Sequence, residues 1–240
     1  MTDWNNDPKK VEKMSWLFST CTPEERVQIH MTSTAFYSVT PCKFANQVAR
    51  VIKTVLEGMR PEGRYAIVDG TSCIGGDVKA FATLFERVIA IELDTLTYQY
   101  LCRNVELWNL SSIVSTHHND VVSLIPTLSK LVEIDKFDTL CLYLDAPWGG
   151  PEYRTKTKLK LELSRVFVCN VVVQAFEKNP MLHLCVLKLP RNYDRHATRK
   201  AFKALTYTSI PIGNYVVLFI CRPPFDLHPF LTKVKEVQHE

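Results

Sequence analysis

The spacing of apolar positions changes along the chain. Over the first sixty residues they recur at helical spacing; beyond that, short apolar runs alternate with helical stretches. Asp7-Pro8 and Thr22-Pro23 each set a capping residue before a proline at the first helical position, so residues 1–40 read as short helices. Thr40-Pro41 opens a longer helix carrying Phe44, Val48, Val51, Ile52 and Val55 on one side, and Pro61-Glu62-Gly63 ends it. Strands are predicted at 65–69, 88–92, 113–116, 137–144 and 182–189. Helices are predicted near 77–85 and over 95–108 and 159–176. A closing hairpin pairs 206–210 with 215–221 around a turn at 211–214. Strands alternating with helices imply parallel βαβ units, hence an α/β fold with a doubly wound, mostly parallel sheet. The expected organisation is a helical N-terminal extension (1–40), one α/β domain (41–225) and a C-terminal tail (226–240).

Composition narrows the class. The 240 residues are 46% hydrophobic and 22% charged, which supports a packed core and excludes disorder as the main state. The longest apolar runs, such as 215–221, are too short to span a bilayer, and no basic-then-apolar leader opens the sequence. An intracellular protein off the membrane is expected, in nucleus or cytoplasm. The net charge of +4 permits an anionic partner without requiring one. Eight cysteines are scattered without a C-x-x-C pair or histidines at metal spacing, so a reducing compartment and no metal are expected.

Ligands of such sheets bind beyond the carboxyl ends of the strands. The loop after the first strand reads Asp69-Gly70-Thr71-Ser72-Cys73-Ile74-Gly75-Gly76, where Gly75 and Gly76 let backbone approach a ligand. Glu92 ends the second strand, placed to accept from both hydroxyls of a ribose, and Asp120 follows the third, near an adenine amino group. Each alone is common in ordinary turns. In this order they favour an adenosine-containing cofactor, and the missing G-x-G-x-x-G loop favours S-adenosyl-L-methionine over NAD. The loop after the fourth strand, Asp145-Ala146-Pro147-Trp148-Gly149-Gly150-Pro151-Glu152-Tyr153, suits methyl transfer to an exocyclic amine. Asp145 would accept the amine's N–H beside the cofactor, Pro147 would stiffen the turn, and Trp148 would stack on the base for about 1–3 kcal/mol. A cationic base would add cation–π attraction.

Phe36-Tyr37-Ser38-Val39-Thr40-Pro41, Val88 to Asp94, Pro147 to Tyr153 and Leu189-Pro190-Arg191-Asn192 resemble successive motifs of the trimethylguanosine synthases, which methylate N2 of the 7-methylguanosine cap of RNA. The resemblance runs from about residue 16 to 223. It implies a Rossmann-like class I methyltransferase fold and 7-methylguanosine-capped RNA as partner. Ser38 and Thr40 would hold the methionine part of the cofactor, Glu92 its ribose and Asp120 its adenine, with Asp69 also among the cofactor-binding residues. Trp148 and Tyr153 would face the cap guanine, and Arg191, Asn192 and His30 its phosphates or the adjoining backbone. The sequence departs from the family in four places. Cys73 replaces a loop glycine, Asp77 an asparagine, Ala146 a proline, and His30 a phosphate-binding lysine. These mark a divergent member, a viral source being one reading.

Two other functions fit the same loops: an N6-adenine methyltransferase of RNA or DNA, and a cap-binding module without catalysis. Arg154, Lys156, Lys158 and Lys160 could receive cap phosphates or the RNA beyond, or simply face water. Trp4, Trp16 and Phe18 read as packing of the extension, with a lid as the alternative. His117-His118 beside Asp120 carries no metal reading, since adjacent strand residues face opposite ways.

Overall fold

The computed structural model describes residues 7–133 and 136–230. Trp4 and the end of the predicted tail therefore lie outside the described residues. Three short helices, α1 (Pro8–Leu17), α2 (Pro23–Gln28) and α3 (Ala35–Ser38), precede the long α4 (Cys42–Met59). The predicted caps form. Asp7 accepts from the Lys9 amide, and Thr22 makes a reciprocal capping box with Glu25.

The chain then alternates through β1 (Tyr65–Asp69), α5 (Gly76–Phe81), β2 (Arg87–Glu92), α6 (Thr95–Leu107) and β3 (Val114–His118). Two short helices, α7 (Val121–Leu124) and α8 (Leu128–Leu131), lead to β4 (Thr139–Leu144). A small hairpin, β5 (Glu162–Leu163) and β6 (Val166–Phe167), precedes α9 (Val168–Lys178), β7 (Leu182–Pro190), α10 (Arg195–Ala201), β8 (Thr206–Ile212) and β9 (Tyr215–Cys221). The seven-stranded sheet runs β3-β2-β1-β4-β7-β9-β8; β9 alone is antiparallel to its neighbours. This is the doubly wound, mostly parallel sheet that the alternation predicts.

One predicted helix is corrected. Residues 159–176 are helical only from Val168. Leu159, Leu161 and Leu163 are buried while Lys158, Lys160 and Glu162 are exposed, a two-residue period that belongs to extended chain. Ser164 and Arg165 then turn the hairpin with φ of 49° and 66°, the left-handed pair of a tight two-residue turn.

Burial divides between the two faces. Val48, Ile52, Val55 and Val78 from α4 and α5 cover one, and Val171, Val172 and Ala175 of α9 the other. Along β7, Val186 joins the first core, whereas Leu187 and Leu189 join the second. A third cluster packs Met14, Leu17, Phe18 and Met31 of the extension on Ile74 and Trp108, against the loop after β1. Phe18 is core, while Trp16 is 55% exposed. Among the described residues no helix is long and apolar enough to cross a membrane.

Candidate active site

The order of the sheet reverses between β1 and β4, and the loops leaving these two strands are joined there. The Asp145 amide donates to Thr71 Oγ1 at 2.8 Å, and the Gly70 amide to the Tyr143 carbonyl at 3.0 Å. Asp69 ends β1 fully buried, its Oδ1 accepting from the Thr71 amide at 3.0 Å. Burial, then the neighbouring Asp77, hold its carboxyl well above the ordinary range. Gly75 caps α5 with φ of 95°. At Gly76 an added Cβ would lie 2.5 Å from Val39 Cγ2, so only glycine lets α5 close on the Ser38–Pro41 segment.

Glu92 anchors this loop from the next strand. Its Oε2 accepts from the Cys73 amide at 2.8 Å and its Oε1 from the Asp94 amide at 2.9 Å. Cys73 has φ of 50°, in the left-handed region where a side chain costs roughly 1–2 kcal/mol. That conformation accounts for the glycine that the resembling family carries here, and the Glu92 bond holds it in place. Burial, then Glu92, push the Cys73 thiol up to about 12. Asp120 caps α7 through the Val122 amide, and its Oδ2 accepts from Ser164 in the β5–β6 turn at 2.6 Å.

A buried polar chain lies beneath the loop after β4. Lys188 donates to Asp145 Oδ2 and to Thr40 Oγ1, each at 2.6 Å. Thr40 donates onward to Asp77 Oδ2 at 2.7 Å, which also accepts from Tyr143 at 3.3 Å. Burial works against the Lys188 ammonium, but Asp145 and then Asp77 outweigh it and hold it above the ordinary lysine range. Burial pushes the Asp145 carboxyl up, and Lys188 opposes the rise. Asp77 Oδ1 is buried without a partner among the described residues.

Aromatic rings stand over this chain. Trp148 meets Tyr153 edge-on at 5.0 Å and Tyr215 at 5.7 Å, and Tyr215 meets Phe44 at 5.8 Å. The Lys188 ammonium lies 4.5 Å from the centre of the Tyr215 ring and 6.0 Å from that of Trp148. The Trp148 N–H is buried beside the Asp145 carboxylate, steadying its charge without reaching hydrogen-bond geometry. Asn192 fixes the segment behind these rings by donating to the Tyr153 and Lys156 carbonyls, both at 2.7 Å.

The structure thus brings Thr40, Asp145, Trp148 and Tyr153 together, and Asp69, Gly75, Gly76 and Glu92 around the first loop. The exposed Pro147 completes the turn between Asp145 and Trp148. Ser38 is exposed at the end of α3, its hydroxyl donating to the Thr34 carbonyl at 3.0 Å. Arg191 is exposed and donates to the Gly213 carbonyl at 2.9 Å. His30 lies against α6, its amide bonded to Asn104 Oδ1 and its ring 5.5 Å from that of Tyr100. Both N–H bonds of Asn192 hold backbone rather than standing free for phosphate.

Sequence reading missed Lys188 and Tyr215. Lys188 had a signal: a charge inside the apolar run Leu182–Pro190 of a central strand must find a partner. Tyr215 had none, since its role comes from the register that places it opposite Pro190. Among the described residues no group of three or more His, Cys, Asp or Glu side chains could hold a metal ion.

Residues 64–222 match the sequence model of the RNA cap guanine-N2 methyltransferases. The chain is 31% identical over 157 residues to uncharacterized protein L320 of Acanthamoeba polyphaga mimivirus, covering 65% of this chain and 58% of that protein. It is 31% identical over 161 residues to the trimethylguanosine synthase of Schizosaccharomyces pombe, covering 67% of this chain and 62% of the relative. The match thus spans about three fifths of either relative's length. The fold is similar to that of the hMettl16 catalytic domain solved with the MAT2A 3′UTR hairpin 6. That likeness has a TM-score of 0.58 at 15% identity and covers 92% of this chain and 83% of the domain.

Proposed function

The chain belongs to the RNA cap guanine-N2 methyltransferase family, and we propose that it methylates N2 of a 7-methylguanosine RNA cap with S-adenosylmethionine as donor. The observation that carries this reading is the turn after β4. It sets a carboxylate, Asp145, next to an indole, Trp148, at the point where the order of the sheet reverses.

The residues present fit such a cofactor. Asp77, Asp145 and Glu92 line the site with acceptors suited to a sulfonium and an ammonium, and the buried Asp77 Oδ1 is an acceptor without a donor among the described residues. Glu92 would hold the ribose, Asp69 and Ser38 the methionine end, and Asp120 the adenine in exchange for Ser164. When bound, the cofactor supplies an electrophilic methyl group.

The protein's part is orientation. Trp148 and Tyr153 would hold the purine flat, and Lys188 keeps Asp145 charged through Oδ2. With Oδ2 held by Lys188, Oδ1 would accept an N–H of the exocyclic amine. Pulling that lone pair out of conjugation and aligning it is a proximity effect, with no strong base required. The test is incubation with labelled methyl donor and a 7-methylated cap dinucleotide, followed by mass determination of the product. An equal rate on the unmethylated cap, or on adenine-containing RNA, would refute it.

Asp145 also supports a second reading, transfer to the exocyclic amine of adenine, which the same experiment separates. Cys73 and the Ser164–Asp120 bond favour a third, cap binding without transfer. Calorimetry with S-adenosylhomocysteine tests that one, because a protein that binds no cofactor is not a methyltransferase of this kind.

A further inference from the structure

The net charge of +4 conceals a strong asymmetry. Residues 152–160 and 191–203 hold nine lysines and arginines against two acids, Glu152 and Asp194. The remainder of the chain is therefore negative overall. Hydrogen bonds bring these two segments together: Asn192 holds the Tyr153 and Lys156 carbonyls, and Leu159 exchanges backbone bonds of 2.9 Å with Asn192 and Asp194. The Leu159 bonds set Lys158 and Lys160 at the foot of α10, near Asp194, whose carboxyl is lowered first by the Ala197 amide and further by the two lysines.

On α10, Arg195 and Arg199 lie one turn apart on one side, Lys203 follows in the turn just beyond the helix end, and all three are exposed. Like charges at this spacing repel and weaken a helix. None of the ion pairs among the described residues involves these three or Lys156, Lys158 and Lys160. Lys158 and Lys160 alternate with buried leucines, so the ammonium groups project about 7 Å apart along extended chain. A basic row outside these ion pairs that begins at the Trp148–Tyr153 wall and continues onto a helix matches a linear polyanion.

We infer that the RNA strand leaving the cap runs from the base pocket along residues 154–160, over the Arg195–Arg199 side of α10 and on to Lys203 in the turn that follows it. The preferred substrate is then a cap attached to several nucleotides rather than a free cap. This rests on the proposed cap reading of the pocket and adds the path of the polymer.

The test compares a 7-methylated cap dinucleotide with a capped 20-nucleotide RNA, in the wild type and in R195Q/R199Q/K203Q. The expected results are a lower KM for the capped RNA in the wild type, a tenfold or greater rise in that KM in the variant, and an unchanged KM for the dinucleotide. The slope of log affinity against log salt for the capped RNA should flatten by about 2, near 0.7 per lost phosphate contact. Equal KM values for both substrates in the wild type, or a variant indistinguishable from it, would overturn the inference. Fluorescence anisotropy with an uncapped 20-mer keeps the two proposals separate. Loss of that binding in the variant, in a protein that methylates neither substrate, would sustain the RNA path and sink the cap reading.

Discussion

Lys188 Nζ lies 2.6 Å from Asp145 Oδ2, with the lysine side chain 2% exposed and the aspartate 18%. Breaking a buried pair from one side leaves a charge uncompensated, at about 3–5 kcal/mol. In Lys188→Met the Asp145 carboxyl loses its counter-ion, so its folded pKa climbs further above the unfolded value of about 3.9. The folded protein then keeps a proton that the unfolded chain releases. Stability is therefore highest at acid pH and falls as pH rises from about 4 through the folded pKa. Thermal melts of Lys188→Met from pH 4.5 to 8.5 should show a deficit that grows with pH, and adding Asp145→Asn should recover most of it. A deficit independent of pH and untouched by the second change would mean that Lys188 serves only to fill space.

Trp148→Ala should raise KM for the capped substrate by roughly 5- to 150-fold, the equivalent of about 1–3 kcal/mol of stacking. Binding of S-adenosylhomocysteine should change little, because Glu92 and Asp120 are on other strands' loops. Titration of each ligand separately checks this; equal weakening of both would make the ring a structural support.

At position 73 the usual order of substitutions should invert. With φ of 50°, glycine is favoured over alanine by about 1 kcal/mol, against the general preference for alanine. Cys73→Gly should therefore have a higher urea midpoint than Cys73→Ala at equal m-value. Alanine at or above glycine would contradict the left-handed backbone.

Asn192→Ala frees the carbonyls of Tyr153 and Lys156. Cap affinity should drop several-fold while cofactor affinity stays the same, and hydrogen exchange should quicken between residues 153 and 160. An unchanged exchange rate there would show that other contacts hold the segment.

The fold was legible because its signals are local. Thr22 with Glu25 writes a cap, and Tyr65–Asp69 and Thr139–Leu144 are apolar runs between turn residues. Residues 159–163 were misread because leucine and lysine favour helices, whereas their alternation in twos fits the surface of the second core. At the site, Asp145, Trp148 and Glu92 could be named from the loops that hold them. Lys188 and Thr40 are 148 residues apart, and no window of sequence contains their contact. The left-handed backbone of Cys73 was equally hidden, because only the observed φ explains why glycine is usual there.

Asn192 sits two residues ahead of Asp194, which caps α10 by accepting from the Ala197 amide at 2.9 Å. The footing of that helix and the backing of the Tyr153 ring are thus one short strut of covalent chain. A load placed on the helix is carried toward the ring through the Asn192 carboxamide and the paired backbone bonds of Leu159. Whatever grips the far end of a long substrate also sets the tilt of the plate that receives its head.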